Sequence, residues 1–193
     1  MTLSVVCSLT LDGVMQAPGR PDEDTRGGFE HGGWGIPYSD QVMAAEMGKN
    51  MAREGSILLG RRTYLDFYSV WPNRKDNPYT EVLNKTQKYV ASRTLQEPLP
   101  WMNSTLLKGD AADAVAELKE RSDGNIAILG SGDLVASLIP RNLIDEYLLL
   151  IHPLVLGTGR RLFADGTFAT LQLVDSVPTT KGVIIATYRP ASA

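Results

Sequence analysis

Ser56-Ile-Leu-Leu-Gly-Arg-Arg-Thr-Tyr64 joins a short apolar strand to a helix start through a single glycine. Gly60 has no Cβ, so a ligand can approach the backbone there. The helix predicted from Arg61 to about Tyr68 supplies free N–H groups and a positive dipole end, which suit an anion. Arg61 and Arg62 add guanidinium forks that match phosphate geometry. The plainer alternative is a solvated basic helix start.

Working outward, two more strands end in a similar way. Lys88-Tyr-Val-Ala-Ser92 is followed by Arg93 and Thr94, hydroxyls beside an arginine that can hold a phosphate or stack on a purine. Asn125-Ile-Ala-Ile-Leu129 runs into Gly130-Ser131-Gly132, then a helix with Leu134, Val135, Leu138 and Ile139 inward, stopped by Pro140. These glycines open the backbone for a pyrophosphate, although the spacing is not G-x-G-x-x-G. Each signal alone is weak. Together they gain weight, because open α/β sheets bind ligands beyond the carboxyl ends of their strands.

The remaining pattern completes an α/β chain. Leu3–Leu9 is a buried strand, followed by a long glycine- and proline-rich loop from Asp12 to about Pro37. Phe29 and Trp34 in that loop favour a folded lid over disorder. Ser39 is a candidate cap for a helix to about Glu54, with Met43, Met47 and Met51 on one core face. Ser104–Leu107 is a short strand. Asp110 caps a helix whose core face is Ala111, Ala114, Val115 and Leu118. Ile144–Ile151 is a long apolar strand, and Gly157 and Gly159 mark a turn. Leu171–Val177 and Val183–Tyr188 form the arms of an antiparallel hairpin.

Composition narrows the function classes. Net charge is −3, against the basic face that nucleic-acid or membrane binding requires. No apolar run approaches the length of a membrane span, and no basic, apolar, small-residue leader opens the chain, so a cytoplasmic location is expected. The single cysteine, Cys7, excludes an intramolecular disulfide and reads as a packed strand residue. With His31 and His152 as the only histidines, no metal site is expected.

Leu59-Gly-Arg-Arg-Thr-Tyr64, Ser92-Arg93, Leu129-Gly-Ser-Gly-Asp-Leu134 and the long segment from Leu143-Ile-Asp-Glu-Tyr to Gly159-Arg-Arg-Leu-Phe163 resemble the dihydrofolate-reductase-like superfamily. The nearest group is that of the reductase domain of the bifunctional riboflavin-pathway deaminase-reductase. Ser8-Leu-Thr-Leu-Asp-Gly13 is similar to that group's first strand and loop. The resemblance implies one domain over residues 1–193, a three-layer α/β/α sandwich and a mixed sheet with an antiparallel C-terminal hairpin. It also implies a homodimer, and NADPH-dependent hydride transfer to a small heterocyclic or carbonyl-like molecule, as in 5-amino-6-(5-phosphoribosylamino)uracil reduction. By the same resemblance, Gly60, Arg61, Arg62 and Thr63 would bind the cofactor's 2′-phosphate and pyrophosphate side. Ser92 and Arg93 would flank the adenosine. Gly130, Ser131, Gly132, Asp133 and Leu134 would cradle the pyrophosphate and nicotinamide ribose.

Departures accompany the resemblance. Dihydrofolate reductase carries a carboxylate in its first helix, and that position falls here near Met43-Ala44, between Asp40 and Glu46. Asp40 suits a helix cap, and Glu46 can pair with Lys49 or Asn50. The zinc-deaminase signatures H-x-E and P-C-x-x-C are absent from the sequence. Asp12 is the candidate catalytic residue, orienting substrate or donating a proton through water, against the alternative of an Asp-Gly turn. His31 reads as a surface loop residue or a proton donor. Tyr64 reads as core and Asp66 as solvent-exposed. His152-Pro153 ends a buried strand. Arg160 and Arg161 after Gly157-Thr158-Gly159 either meet an anionic substrate or flank a turn. The competing function is a nucleotide-binding or sensory module without turnover.

Overall fold

A computed structural model describes residues 1–51, 55–75, 77 and 79–191, with the backbone alone at Met51. Eight strands form: β1 (Thr2–Thr10), β2 (Gly55–Gly60), β3 (Lys88–Ala91), β4 (Ser104–Leu107), β5 (Asn125–Leu129), β6 (Glu146–His152), β7 (Leu171–Pro178) and β8 (Ile184–Pro190). The described residues also form helices α1 (Gln41–Met51), α2 (Arg61–Val70), α3 (Tyr79–Lys85), α4 (Ala111–Arg121) and α5 (Gly132–Leu138). The strands make one mixed sheet of order β4-β3-β2-β5-β1-β6-β8-β7. Contacts group the chain into two compact units, Met1–Ser4 with Glu54–Leu143, and Val5–Arg53 with Ile144–Ala193.

In the first unit, β2 is parallel to both β3 and β5, and β3 is parallel to β4. Gly60 pairs with Ala91, and Leu58 with Ile128, so the strands finish side by side. Leu59, Tyr64, Leu83, Val90 and Trp101 form a buried cluster. Tyr64 is core, as its sequence position suggests, and its hydroxyl accepts the Trp101 N–H at 3.0 Å. Asp66 is half-buried rather than exposed. Asp110 caps α4 by accepting from the N–H groups of Ala112 and Asp113, and the buried face is Ala112, Val115 and Leu118. The expected face is thus rotated toward Ala112, with Ala111 and Ala114 at its margins.

Sequence reading missed α3. Its flanks are polar, and Leu83 is its only buried residue, so no apolar stripe marks it. Its start is fixed by the Asn77 side chain, which accepts from Tyr79 N–H at 2.9 Å. Its end is closed by a buried cation. The Lys88 ammonium donates to the carbonyls of Leu83 and Thr86, both at 2.7 Å, and lies 4.6 Å from the Trp101 ring centroid. Burial lowers the Lys88 pKa to about 8.

In the second unit, β8 is antiparallel to both β6 and β7, with an irregularity in β7 between Leu173 and Asp175. Leu148, Leu150, Val183 and Ile185 are buried, and Met43 and Met47 of α1 pack on them, which bears out the core reading of these two methionines. The helix expected to reach Glu54 is described to Met51; residues 52–54 lie outside the described residues, as does the side chain of Met51. The cap is Asp40 rather than Ser39. Its Oδ1 accepts from Met43 N–H at 2.8 Å, while its Oδ2 accepts from Thr180 N–H at 2.7 Å and the Thr180 hydroxyl at 2.6 Å. One carboxylate therefore ties the helix start to the β7–β8 turn.

That arrangement predicts an acid-sensitive contact. The Met43 N–H, then the Thr180 hydroxyl, pull the Asp40 pKa from 3.8 down to about 2. The folded state holds the anion more strongly than the unfolded state does. This contribution is complete above pH 4 and is lost as pH falls through about 2. In Asp40→Asn, the acid limb of a pH–stability profile should flatten relative to the parent, and equal profiles would remove Asp40 from this role.

The glycine-rich segment after β1 is folded. Val14, Ala17, Phe29 and Trp34 form their own buried cluster. At its centre the Gln16 side chain, 4% exposed, donates to the carbonyls of Asp24 (3.1 Å) and Arg26 (3.0 Å) and accepts from Arg160 N–H (2.9 Å). His152 ends β6 in the core. Its Nδ1 lies 2.9 Å from Leu150 O and 3.2 Å from Leu9 O, and its ring meets Trp34 edge-on at 5.0 Å. With two carbonyls as partners, Nδ1 carries the proton. Burial lowers its pKa, which keeps the imidazole neutral. Cys7 is buried and its thiol is raised to about 12, which makes it inert. No helix among the described residues is long and apolar enough to cross a membrane.

Candidate functional site

Three adjacent parallel strands of the first unit deliver the segments that the sequence singles out. Gly60–Thr63 lie at the end of β2 and just beyond it, Ser92 and Arg93 follow β3, and Gly130–Leu134 follow β5. Parallel pairing places all three at the same end of the sheet. Side-chain contacts join them. Ser131 Oγ accepts from Gly60 N–H at 3.0 Å and donates to Leu129 O at 3.0 Å. Ser131 adopts a left-handed conformation, φ 55°, which aims its hydroxyl across to β2. Arg61 Nη1 donates to Thr94 Oγ1 at 2.9 Å, which links the ends of β2 and β3.

Local chemistry fixes each segment. Ser92 Oγ accepts from Thr94 N–H (3.1 Å) and Leu95 N–H (3.0 Å), a hydroxyl turn that ends β3. At Gly60, an added Cβ would sit 3.7 Å from both Leu134 and Ser131, in ordinary van der Waals contact across the two strand ends. Gly60 is the N-cap of α2 and supplies no side-chain cap bond. A helix start without a side-chain cap from its N-cap residue is one that can accept an anion.

The charges at this rim are unequal in availability. Arg61 and Arg93 are exposed. Arg62 is paired with Asp133 across the strand ends, Nη1 to Oδ2 at 3.4 Å. That pair is solvent-exposed and weak, and an incoming phosphate would compete with Asp133 for the same guanidinium. Thr94 belongs with the rim through Arg61, and its place directly after Ser92-Arg93 was the signal for it.

Asp12 lies in the second unit. Its carboxylate accepts from the Thr10 hydroxyl (2.6 Å), Leu156 N–H (3.2 Å) and Gly157 N–H (2.8 Å). The Thr10 hydrogen bond is the main reason that its pKa falls to about 2. An acid so strongly held as the anion is a poor proton donor near neutrality. The geometry gives Asp12 a turn-fixing part, joining the end of β1 to Leu156-Gly157. Glu46 is engaged likewise, accepting from Lys49 Nζ at 2.6 Å through its carboxylate, while its carbonyl accepts from Asn50. His31 is exposed and packs edge-on to Phe29 at 5.7 Å.

The mixed sheet and its helices define a dihydrofolate-reductase-like α/β fold. Among solved structures, a putative riboflavin biosynthesis protein from Shewanella sp. PV-4 superposes with a TM-score of 0.70 at 22% identity, covering 100% of both chains. Dihydrofolate reductase from Enterococcus faecalis, in complex with NADP(H), superposes with a TM-score of 0.64 at 14% identity over 99% of this chain and 97% of that one. An uncharacterised Bacillus subtilis protein, YyaP, is 30% identical over 142 residues, 69% of this chain and 72% of its own length. Residues 2–185 match the RibD C-terminal domain family, and the chain belongs to it.

Proposed function

We propose that this chain is an NADPH-dependent reductase that delivers hydride to a small heterocyclic or carbonyl-like substrate, of the type reduced in the riboflavin pathway. The observation that carries this reading is the joining of three phosphate-suited segments at adjacent strand ends, through Arg61–Thr94 and Gly60–Ser131. Family membership and the NADP(H) complex of the Enterococcus reductase support it. The fit is chemical: a helix start without a side-chain cap, two exposed arginines and glycines at the strand ends suit a phosphorylated dinucleotide. Bound there, the dinucleotide supplies the hydride.

The chain's own residues bind and orient. Arg61, Arg93 and Thr94 hold the 2′-phosphate and adenosine end. Gly60, Thr63 and the first turn of α2 face the pyrophosphate. Ser131 fixes the spacing of the β2 and β5 ends, and Gly130, Gly132 and Leu134 complete the cradle. Asp133 sets Arg62 in place until a phosphate displaces it. Asp12 acts by fixing its turn. The 12–37 segment, with its own core and the Gln16 contacts, is a fixed element rather than a closing lid. A single family spanning both units supports a one-domain protein. We also place the protein in the cytoplasm as a homodimer, for which β7 is the natural contact. It is one of the sheet's two edge strands, and Leu173 and Val174 are exposed on it.

Titration with NADPH and NADH, read by the fluorescence of Trp34, Trp71 and Trp101, tests the cofactor reading. NADPH should bind more tightly than NADH, and Arg61→Ala should weaken NADPH about tenfold or more, the loss of one charge-assisted phosphate contact. Absence of saturable binding by either dinucleotide would sink the proposal. The engagement of Asp12 and Glu46 in structural contacts favours one second reading, a dinucleotide-binding module without turnover. Saturable NADPH binding without oxidation by any pyrimidine, pterin or carbonyl acceptor would select it.

A further inference from the structure

The second unit contains a cavity of about 220 Å³ that the cofactor reading does not use. Two arginines, Arg26 and Arg160, are among its lining residues, and neither Asp nor Glu is. One buried side chain holds the backbone on both sides of it. Gln16 Oε1 accepts from the Arg160 N–H at 2.9 Å, and Gln16 Nε2 donates to the Arg26 carbonyl at 3.0 Å. Asp24 grips the Arg26 guanidinium with both oxygens, at 2.7 Å and 2.5 Å, which fixes its orientation and offsets part of its charge.

The other walls suit an anion carried on a few carbons. Thr158, a hydroxyl residue and exposed, is among the lining residues. Gly27 sits at φ +70°, and a Cβ built there meets nothing within 4 Å, so no side chain narrows that wall. Phe29 supplies an apolar surface. Its position is set by Gly159, at φ +113°, where a Cβ would come within 2.7 Å of both Phe29 Cε2 and Val14 Cγ1. A side chain at 159 would push the turn off the ring. The volume equals about seven water molecules, more than a bare oxyanion needs.

We propose that this cavity binds the oxyanion group, phosphate or carboxylate, of a small organic molecule, with Arg26, Arg160 and Thr158 as its ligands and Phe29 against the carbon skeleton. The wall is pre-ordered by Gln16 and Asp24, so little conformational freedom is lost on binding. The site stands apart from the dinucleotide reading: neither its residues nor its test involve the strand ends of the first unit.

Backbone amide NMR on the full chain tests it, with glycerol 3-phosphate as probe, inorganic phosphate and succinate as comparators, and glycerol as the neutral control. Saturable shifts of the Gly27, Gly159 and Arg160 amides are expected with glycerol 3-phosphate and not with glycerol. The comparators separate a phosphate preference from a carboxylate one, and saturation by either type at these amides supports the site. Thr158→Glu puts a carboxylate at the exposed wall and should weaken binding at least about tenfold. Arg160→Gln, which retains the backbone N–H that Gln16 binds, should do the same. No saturable shift with any of the three oxyanions, equal shifts with glycerol, or parental affinity in Thr158→Glu would each overturn the assignment.

Discussion

Lys88→Met should lower the unfolding free energy by about 3 kcal/mol, because it removes the buried cation that donates to the Leu83 and Thr86 carbonyls. For a chain of this size that is a fall in melting temperature of roughly 6–12 °C. Methionine keeps most of the apolar stem, so the loss reports the ammonium rather than a cavity. Lys88 is fully buried and donates to Leu83 O and Thr86 O at 2.7 Å, with a longer contact to Asn84 O at 3.4 Å. These are the carbonyls left over where α3 ends, so the lysine acts as a C-terminal cap reaching in from β3. The same residue reaches Trp101, whose indole N–H donates to Asn84 Oδ1 at 2.7 Å. Thermal and urea unfolding measure the effect, and a melting curve superposable on the parent's would refute it.

The same group carries a pH signature of definite sign. Burial lowers the folded pKa from 10.5 to about 8. Between those values the unfolded chain binds more protons than the folded one, so stability rises as pH increases through that window. The neutral amine still has two N–H groups for the two short contacts, so deprotonation removes the burial penalty without breaking the cap. The rise is at most about 3 kcal/mol. Taking the difference between parent and Lys88→Met removes the other titrating groups. A difference independent of pH from 8 to 10.5 would show that Lys88 stays charged.

These two contacts show where the sequence is readable. The strands β2, β3 and β5 were legible because short apolar runs stop at glycine or hydroxyl residues, and parallel pairing then aligned their ends. The β7–β8 hairpin was legible from two apolar arms around Thr179–Gly182. Helix α3 was not, because Asn77 and Lys88 define it rather than an apolar face. Ser39 and Asp40 are both competent caps by residue type, and only the approach of Thr180, far along the chain, decides for Asp40. Asp12 reads locally as a turn residue. That it fixes Leu156-Gly157 as well depends on pairing between distant segments, to which sequence periodicity is blind. The three strand-end segments stand out in the sequence because each carries its own chemistry beside its strand. Gln16 was passed over because an amide in a glycine-rich loop signals nothing until its partners are known.

Gln16→Leu is the second substitution with a large expected effect. Leucine matches the side chain in bulk and burial but offers no hydrogen bond. The carbonyls of Asp24 and Arg26 and the N–H of Arg160 would each lose a partner, and an unsatisfied buried group costs about 1–3 kcal/mol. Water can reach some of these groups once the segment loosens, so the expected net loss is about 3 kcal/mol. The loss should be local before it is global. Residues 12–37 hang on Gln16, the Val14–Trp34 cluster and the Trp34 N–H donating to Gln16 O at 2.6 Å, whereas the β2-β3-β5 ends have their own contacts. Hydrogen exchange should therefore accelerate in the 12–37 segment and at Arg160 while the strands of the first unit keep their protection. If the Gln16→Leu protein were as well protected at Arg26–Phe29 as the parent, the segment would be held by its apolar cluster alone. Faster exchange confined to that segment would instead show that it and the β2-β3-β5 ends are independently stabilised.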